Sequence, residues 1–304
     1  MPADELQLCP SELGPVTIFP ISTVRRRIVA TIEKAEGDTP SLELVQKILD
    51  ERAPGSIEVL SLHWSSYFRI HHRHATQLRV QRMFIAGDAA HLHSPFGGQG
   101  MNTGLHDAWN LTWKLDLFLH GHGNKELLDS YSSERVPVIK SVVETTDLMT
   151  KFLGTPNKFV QSLRNAVIPM LSRLTPFQQA FVERLSELGV AYRGSPIVEG
   201  PGKRYFEDSL RGGNGIRDRF LLLMDEHQEA PAREALKQFI DSFSGVVEFR
   251  PSTESGMKLV RPDGYLAYSA DAGTEKAARH AIEEMRLLLE RQTKADRANA
   301  VANA

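Results

Sequence analysis

The chain has 304 residues, of which 41% are hydrophobic, so it can bury a sizeable core and is expected to form two domains. Its 36 basic and 38 acidic residues nearly balance, which argues against a nucleic-acid partner. The single cysteine, Cys9, excludes an internal disulfide framework and fits a reducing compartment. No apolar stretch approaches the length of a membrane span and the first residues lack secretory-signal features, so the sequence predicts a cytoplasmic protein without membrane contact.

The first seventy residues predict two antiparallel strands, a helix and another strand. Residues 16–20 and 28–32 are rich in β-forming residues. Thr39 and Pro40 stand in the cap and first-turn order that opens a helix. Residues 57–70 return to a strand pattern that includes three aromatic side chains. These aromatic residues either pack a sheet or line a substrate pocket.

The stretch at residues 82–114 organises the rest of the chain. Residues 83–86 form a short apolar run that closes on Gly87 and Asp88, which predicts a buried strand ending in a turn. In open α/β sheets ligands bind at the carboxyl ends of strands. An aspartate there can accept hydrogen bonds from ribose or ribityl hydroxyl groups.

A glycine-rich segment follows, with Gly97, Gly98 and Gly100 lying just before a long helical pattern. Glycine frees the backbone for positive φ and for close approach to a ligand. The pattern predicts a helix that ends near Gly121 and whose packed face consists of Leu105, Ala108, Leu111 and Leu115. Its amino terminus would favour a negative or electron-rich ligand, although a glycine loop of this kind also serves as a simple tight turn.

The same stretch resembles the second flavin signature of the FAD-dependent aromatic hydroxylases, a family of single-component flavoprotein monooxygenases that includes phenol and p-hydroxybenzoate hydroxylases. The matching residues are Gly87-Asp88-Ala89-Ala90-His91, Pro95, Gly97-Gly98-Gln99-Gly100, Asn102, Gly104, Asp107-Ala108, Asn110-Leu111 and Trp113-Lys114-Leu115. The resemblance implies that Asp88 holds the ribityl chain and that the loop from Pro95 to Asn102 lies against the flavin ring. It thereby implies one cofactor-binding set: Gly87, Asp88, Pro95, Gly97, Gly98, Gln99, Gly100, Met101 and Asn102.

Histidines near this stretch invite a metal interpretation, both the run at residues 71–74 and Asp88 with His91 and His93. Neighbouring strand residues point to opposite faces, however, so such a run cannot converge on one ion. We therefore predict no metal site.

The second half of the chain predicts helices followed by a small α/β domain. Asn124 is a good helix N-cap. The Gly- and Pro-containing segment at residues 192–202 is typical of a linker between two domains. Beyond it the pattern predicts strand, helix, strand, hairpin and helix. This order, with Arg261-Pro262-Asp263-Gly264-Tyr265, resembles the thioredoxin-like appendage of the phenol-hydroxylase branch. The predicted fold is therefore mixed α/β: a partial FAD-binding domain at residues 1–195, with a remnant of the substrate sheet, and a thioredoxin-like domain at 205–294.

The resemblance implies an FAD-binding monooxygenase that uses NADPH or NADH as reductant and hydroxylates a small phenolic or polyketide-like aromatic through a flavin hydroperoxide. The sequence contains no G-x-G-x-x-G segment for the adenine half of FAD, and no catalytic residue is assigned. We therefore expect weak flavin binding, no complete hydroxylation cycle by this chain alone, and association with itself or with an amino-terminal partner chain. The alternative is a non-catalytic binding or interaction protein derived from such a monooxygenase.

Overall fold

The computed structural model describes residues 5–53, 55, 57–94, 98–155, 157–171, 174–205, 219–225 and 233–293. The chain divides into two compact units. Unit 1 comprises Met1–Arg73, Leu92–Gly97 and Val142–Val182, and unit 2 comprises His74–His91, Gly98–Ser141 and Glu183–Ala304. The sequence predicts a domain boundary between residues 195 and 205, and that boundary stays a prediction.

Unit 1 contains a three-stranded antiparallel sheet and a helix packed on it. Strands β1 (Gln7–Cys9), β2 (Val16–Pro20) and β3 (Arg26–Ala30) are hydrogen-bonded in chain order. Helix α1 (Leu42–Arg52) follows. Its buried side chains share a core with Cys9, Val16 and Ile18, because the inward face of β2 is apolar. The two antiparallel strands predicted near residues 16–32 are confirmed.

Two local predictions in unit 1 are wrong. The N-cap of α1 is Ser41 rather than Thr39, since the Ser41 hydroxyl accepts a hydrogen bond from the Leu44 N–H at 3.2 Å. Residues 57–70 form no strand with any other described residue. A β-rich run becomes a strand only when another backbone pairs with it, and local sequence carries no information about that partner.

The remaining elements of the first two thirds of the chain are short strands and long helices. They are β4 (Arg73–His74), β5 (Arg79–Val80), β6 (Met83–Phe84), β7 (His91–Leu92), α2 (Gly100–Leu119), α3 (Lys125–Leu153), α4 (Lys158–Leu171) and α5 (Thr175–Ser186). Strands β5 and β6 form an antiparallel hairpin in unit 2. The strand and the turn predicted before and at Gly87 are confirmed, but Met83 is 67% exposed, so the prediction that this strand is buried is wrong. No described helix is long and apolar enough to cross a membrane.

The last part of unit 2 has the element order that the sequence predicts. Its elements are β8 (Phe220–Asp225), α6 (Arg233–Ser242), β9 (Val247–Ser252), β10 (Met257–Val260), β11 (Leu266–Ala270) and α7 (Glu275–Glu290). The sheet order is β11-β10-β8-β9, with β8 and β9 parallel and the other pairs antiparallel. Its main core includes Trp113, Leu117 and Leu127, so the sheet and the helices α2 and α3 share one core.

Candidate functional site

The turn after β6 lies directly against helix α2. Gly87 begins a short 3-10 turn, Gly87–Ala89, with φ of +59°, a left-handed conformation that favours glycine. A Cβ built on Gly104 would lie 3.3 Å from the Cα of Gly87. The two backbones therefore approach so closely that an alanine on the helix side would have to push the turn away by a few tenths of an ångström.

One buried carboxylate, that of Asp107 on α2, holds this turn. Its Oδ2 accepts the backbone N–H of Gly87 at 3.0 Å and lies 2.9 Å from Nε2 of His91. Its Oδ1 accepts Nε of Arg135 from α3 at 2.7 Å. Because an ionised carboxylate only accepts hydrogen bonds, Nε2 of His91 carries the proton here. The turn, α2 and α3 are thus joined at one side chain.

The environment keeps this carboxylate ionised. Burial opposes ionisation of Asp107, but the hydrogen bond from His91 and the charge of Arg135 outweigh it and lower the pKa of Asp107. Burial opposes the charge of Arg135, but its interactions with Tyr192 and Asp107 outweigh burial and raise the pKa of Arg135. Arg135 also donates to the carbonyl of Thr103 at 3.1 Å, which fixes the guanidinium against the first turns of α2.

The surface formed by the turn and the start of α2 offers hydrogen-bonding groups to a ligand. Asp88 is exposed, and no described residue donates to or pairs with its carboxylate. The first backbone bond of α2 runs from the Thr103 N–H to the Gln99 carbonyl at 2.9 Å. Within the described ranges, the N–H groups of the preceding residues 100–102 have no backbone acceptor, and Gln99 provides no side-chain cap.

Gly98 and Gln99 are two further members of the predicted cofactor-binding set. Gly98 has φ of +64°, and no described atom lies within 4 Å of the position that a Cβ would take. The buried side chain of Gln99 donates to the carbonyl of Arg184 at 2.7 Å, so this side chain is held inside the protein. Pro95 and Gly97 lie outside the described residues.

These groups suit the flavin half of FAD. An exposed carboxylate accepts hydrogen bonds from ribityl hydroxyl groups, and unpaired N–H groups at a helix amino terminus favour the electron-rich edge of a flavin ring. Glycines leave room for the ring to approach the backbone. Among the described residues no group of three metal-ligating side chains occurs.

A second buried ionic cluster lies further along the same buried face of α2, and it also joins α2 to α3. Both carboxylate oxygens of Glu134 accept from Arg261, at 2.6 and 2.9 Å, and Lys114 donates to Oε2 at 2.7 Å. Arg261 also pairs with Asp263 at 2.6 Å. Burial opposes ionisation of Glu134, but Arg261 and Lys114 hold its pKa well below the usual range. This cluster attaches β10 and its turn to α2 and α3.

The buried side of α2 combines a polar stripe with apolar residues, which corrects the predicted apolar face. Leu105 is 58% exposed and Ala108 is exposed as well, while only Leu111 of the predicted set is buried. The buried positions include Thr103, Asp107, Asn110 and Lys114. Charged side chains occupy this face because α3 and the turn after β10 supply oppositely charged partners for them.

Sequence reasoning did not assign a role to Asp107, Arg135, Glu134 or Arg261, although Asp107 and Arg261 lie within the quoted resemblances. A signal was present in α2, where Thr103, Asp107, Asn110 and Lys114 follow a spacing of four, three and four residues. Such a polar helical stripe beside the adjacent pair Glu134-Arg135 indicates charge pairing between two helices.

Comparisons with known proteins show which proteins this chain is similar to. Residues 9–146 match the protein family described as FAD binding domain. The 6-methylpretetramide 4-monooxygenase of Streptomyces rimosus is 37% identical over 189 residues, covering 58% of this chain and 31% of that protein. Rifampicin monooxygenase of Rhodococcus hoagii is 31% identical over 292 residues, 90% of this chain and 58% of that protein.

A solved structure extends the match to the fold. OxyS anhydrotetracycline hydroxylase from Streptomyces rimosus superposes with a TM-score of 0.67 at 26% identity, over 93% of this chain and 61% of that chain. The fold is therefore the mixed α/β fold of FAD-dependent hydroxylases. Residues 9–146 are thus similar to an FAD-binding domain, and the longer matches are to monooxygenases. The chain spans less than two thirds of each of these three relatives.

Proposed function

We propose that this chain binds the flavin half of FAD and acts in an FAD-dependent aromatic monooxygenase reaction with NADPH or NADH as reductant. The observation that carries the proposal is the exposed, unpartnered Asp88 carboxylate beside the uncapped start of α2, within the described residues. Bound flavin would supply the activation of oxygen, and the protein would supply position and water exclusion.

In this proposal each part of the site has a separate task. Asp88 accepts hydrogen bonds from the ribityl chain, while the backbone of Gly98, Gln99 and residues 100–102 faces the ring. Pro95 and Gly97 belong to the same proposed loop. Gly87 acts through its conformation, because its left-handed φ sets the direction in which Asp88 leaves the turn.

The substrate class that we propose is a phenolic or polyketide-like aromatic. Support comes from the relatives, which are named for 6-methylpretetramide, rifampicin, anhydrotetracycline and pentachlorophenol. We also propose that residues 205–294 form a thioredoxin-like domain. The strand order β11-β10-β8-β9 with one parallel pair supports that assignment.

Flavin titration tests the proposal. FAD added to the purified chain should lose fluorescence or gain anisotropy on binding, and Asp88→Ala should weaken binding by about 1.5–3 kcal/mol, or roughly tenfold to a hundredfold. Asp241→Ala, which removes an exposed carboxylate from α6, is the matched control and should bind like the parent. Equal affinity for FAD in the Asp88 variant and the parent would reject the role of Asp88.

A second measurement addresses the reaction itself. NADPH and NADH oxidation is followed in the presence of FAD and a panel of phenols, and the hydroxylated product is quantified. Substrate-stimulated oxidation with matching product supports the monooxygenase. A folded chain that binds no flavin at any accessible concentration would instead favour the non-catalytic interaction protein.

A further inference from the structure

We infer that Asp107 and Gly104 are positioning residues for the flavin site: together they fix the Gly87–Asp88 turn against α2 and thereby set flavin affinity without touching the flavin. The inference rests on the proposed function of Asp88. Its basis is the contact of the two glycine backbones and the three donors that meet on the Asp107 carboxylate.

The geometry leaves the turn little freedom. The Gly87 N–H is bound by Oδ2 of Asp107, and a Cβ added at Gly104 would lie 3.3 Å from the Cα of Gly87, so an alanine there would displace the turn by a few tenths of an ångström. Asp88 is the next residue, so a movement of Gly87 by a few tenths of an ångström displaces its carboxylate. Hydrogen bonds and charge contacts depend steeply on such displacements.

Arg135 and His91 hold Asp107 itself from two further directions. Arg135 binds Oδ1 and the Thr103 carbonyl, while His91 shares Oδ2 with Gly87. All of these side chains are at least 98% buried. The carboxylate is therefore a rigid connection from α3 through α2 to the turn, and not a ligand of the flavin.

Glu134 provides a matched control for Asp107 within the same protein. Glu134 is equally buried, is the residue next to Arg135 on α3 and accepts hydrogen bonds from Lys114 and Arg261, but it contacts no residue of the turn among those described. A Glu134→Gln change and an Asp107→Asn change each remove one buried negative charge. A difference in flavin binding between these two variants therefore reflects the position of the Gly87–Asp88 turn and not a general loss of stability.

The experiment compares the full-length parent with Gly104→Ala, Asp107→Asn and Glu134→Gln. FMN and FAD are titrated by fluorescence anisotropy, and urea unfolding is measured on the same samples. Gly104→Ala should bind both flavins about tenfold more weakly. Its unfolding midpoint should change little, since alanine is the better helix former and offsets the crowding. Glu134→Gln should unfold at lower urea and keep the flavin affinity of the parent.

Hydrogen exchange gives a readout that needs no flavin. The Gly87 amide should exchange slowly in the parent and much faster in Asp107→Asn, with no such change in Glu134→Gln. Parent-like flavin affinity in both Gly104→Ala and Asp107→Asn would overturn the inference. A parent that binds no flavin would overturn the proposed function and, with it, the flavin role of the turn, while Gly87 exchange would still decide whether Asp107 fixes the turn.

Discussion

At Arg261 one guanidinium meets two carboxylates and a set of aromatic rings. It donates to Glu134 and Asp263, and its central carbon lies 4.9 to 5.8 Å from three ring centroids, those of Tyr192, Trp113 and Tyr265. The planar fork pairs with the carboxylates along its edge while the rings cover its faces. A lysine could supply the charge but not both kinds of contact.

Replacing Arg261 by methionine should therefore strongly destabilise the protein. Two carboxylates would remain buried with Lys114 as the principal cation, and breaking a buried pair by removing one partner costs about 3–5 kcal/mol. Arg279→Met is the matched control, because Arg279 pairs with Glu275 on the exposed side of α7 and such pairs contribute roughly 0.3–0.5 kcal/mol. Urea unfolding measures both. Similar losses in the two variants would contradict the prediction.

The elements that the sequence predicts well are those whose pattern is local. The β-α-β-β-β-α order after residue 219 is confirmed because period-two and period-3.6 patterns and a Pro-Asp-Gly turn mark its elements. The pattern failed at residues 57–70, where strand formation depends on a distant partner. The pattern failed again on α2. The positions of Arg135 and Arg261 determine which face of this helix is buried, and the sequence alone does not supply those positions.

Asn124 connects two helix ends and should be worth more than a simple cap. Its Oδ1 accepts the Leu127 N–H at 3.0 Å, and its Nδ2 donates to the Arg291 carbonyl at 2.9 Å. Asn124→Ala should cost about 1.5–2.5 kcal/mol, the sum of a cap and a further hydrogen bond. Thr274→Ala, which removes only the cap of α7, should cost about 1 kcal/mol.

Chemical denaturation of both variants and of Asn124→Asp gives the comparison. The aspartate keeps the cap acceptor and loses the donor to Arg291, so its stability should lie between that of the parent and that of Asn124→Ala. Equal stability of Asn124→Asp and Asn124→Ala would show that the cap acceptor contributes nothing.

On the scale of the whole molecule, the thioredoxin-like domain that we propose for residues 205–294 should not bring thiol chemistry. Cys9 is the single cysteine of the sequence and lies buried in unit 1, where burial raises the pKa of its thiol. Disulfide exchange needs an accessible thiolate, and fold alone does not confer function. The full chain should therefore show no insulin-disulfide reduction above a Cys9→Ser control. Reductase activity that disappears in that control would contradict the prediction.

The two buried ionic clusters should make unit 2 sensitive to acid. Burial opposes ionisation of Glu134 and Asp107, but Arg261 and Lys114 at the first, and His91 and Arg135 at the second, lower both pKa values below their ordinary range. A carboxylate with a depressed folded-state pKa contributes stability above its unfolded pKa of about 4 and loses that contribution as pH falls through the folded-state value. The free energy of unfolding should therefore decline as the pH drops below about 4.

Each such carboxylate adds about 1.4 kcal/mol per pH unit to the slope of the unfolding free energy against pH. It does so between its folded-state and unfolded pKa values, where the unfolded state binds one more proton than the folded state. Urea unfolding between about pH 2.5 and pH 7, followed by the fluorescence of buried Trp113, measures the slope. Glu134→Gln should be less stable at neutral pH and should lose stability less steeply in acid, since glutamine does not titrate. Parallel acid profiles for the parent and the variant would show that Glu134 does not carry the acid dependence.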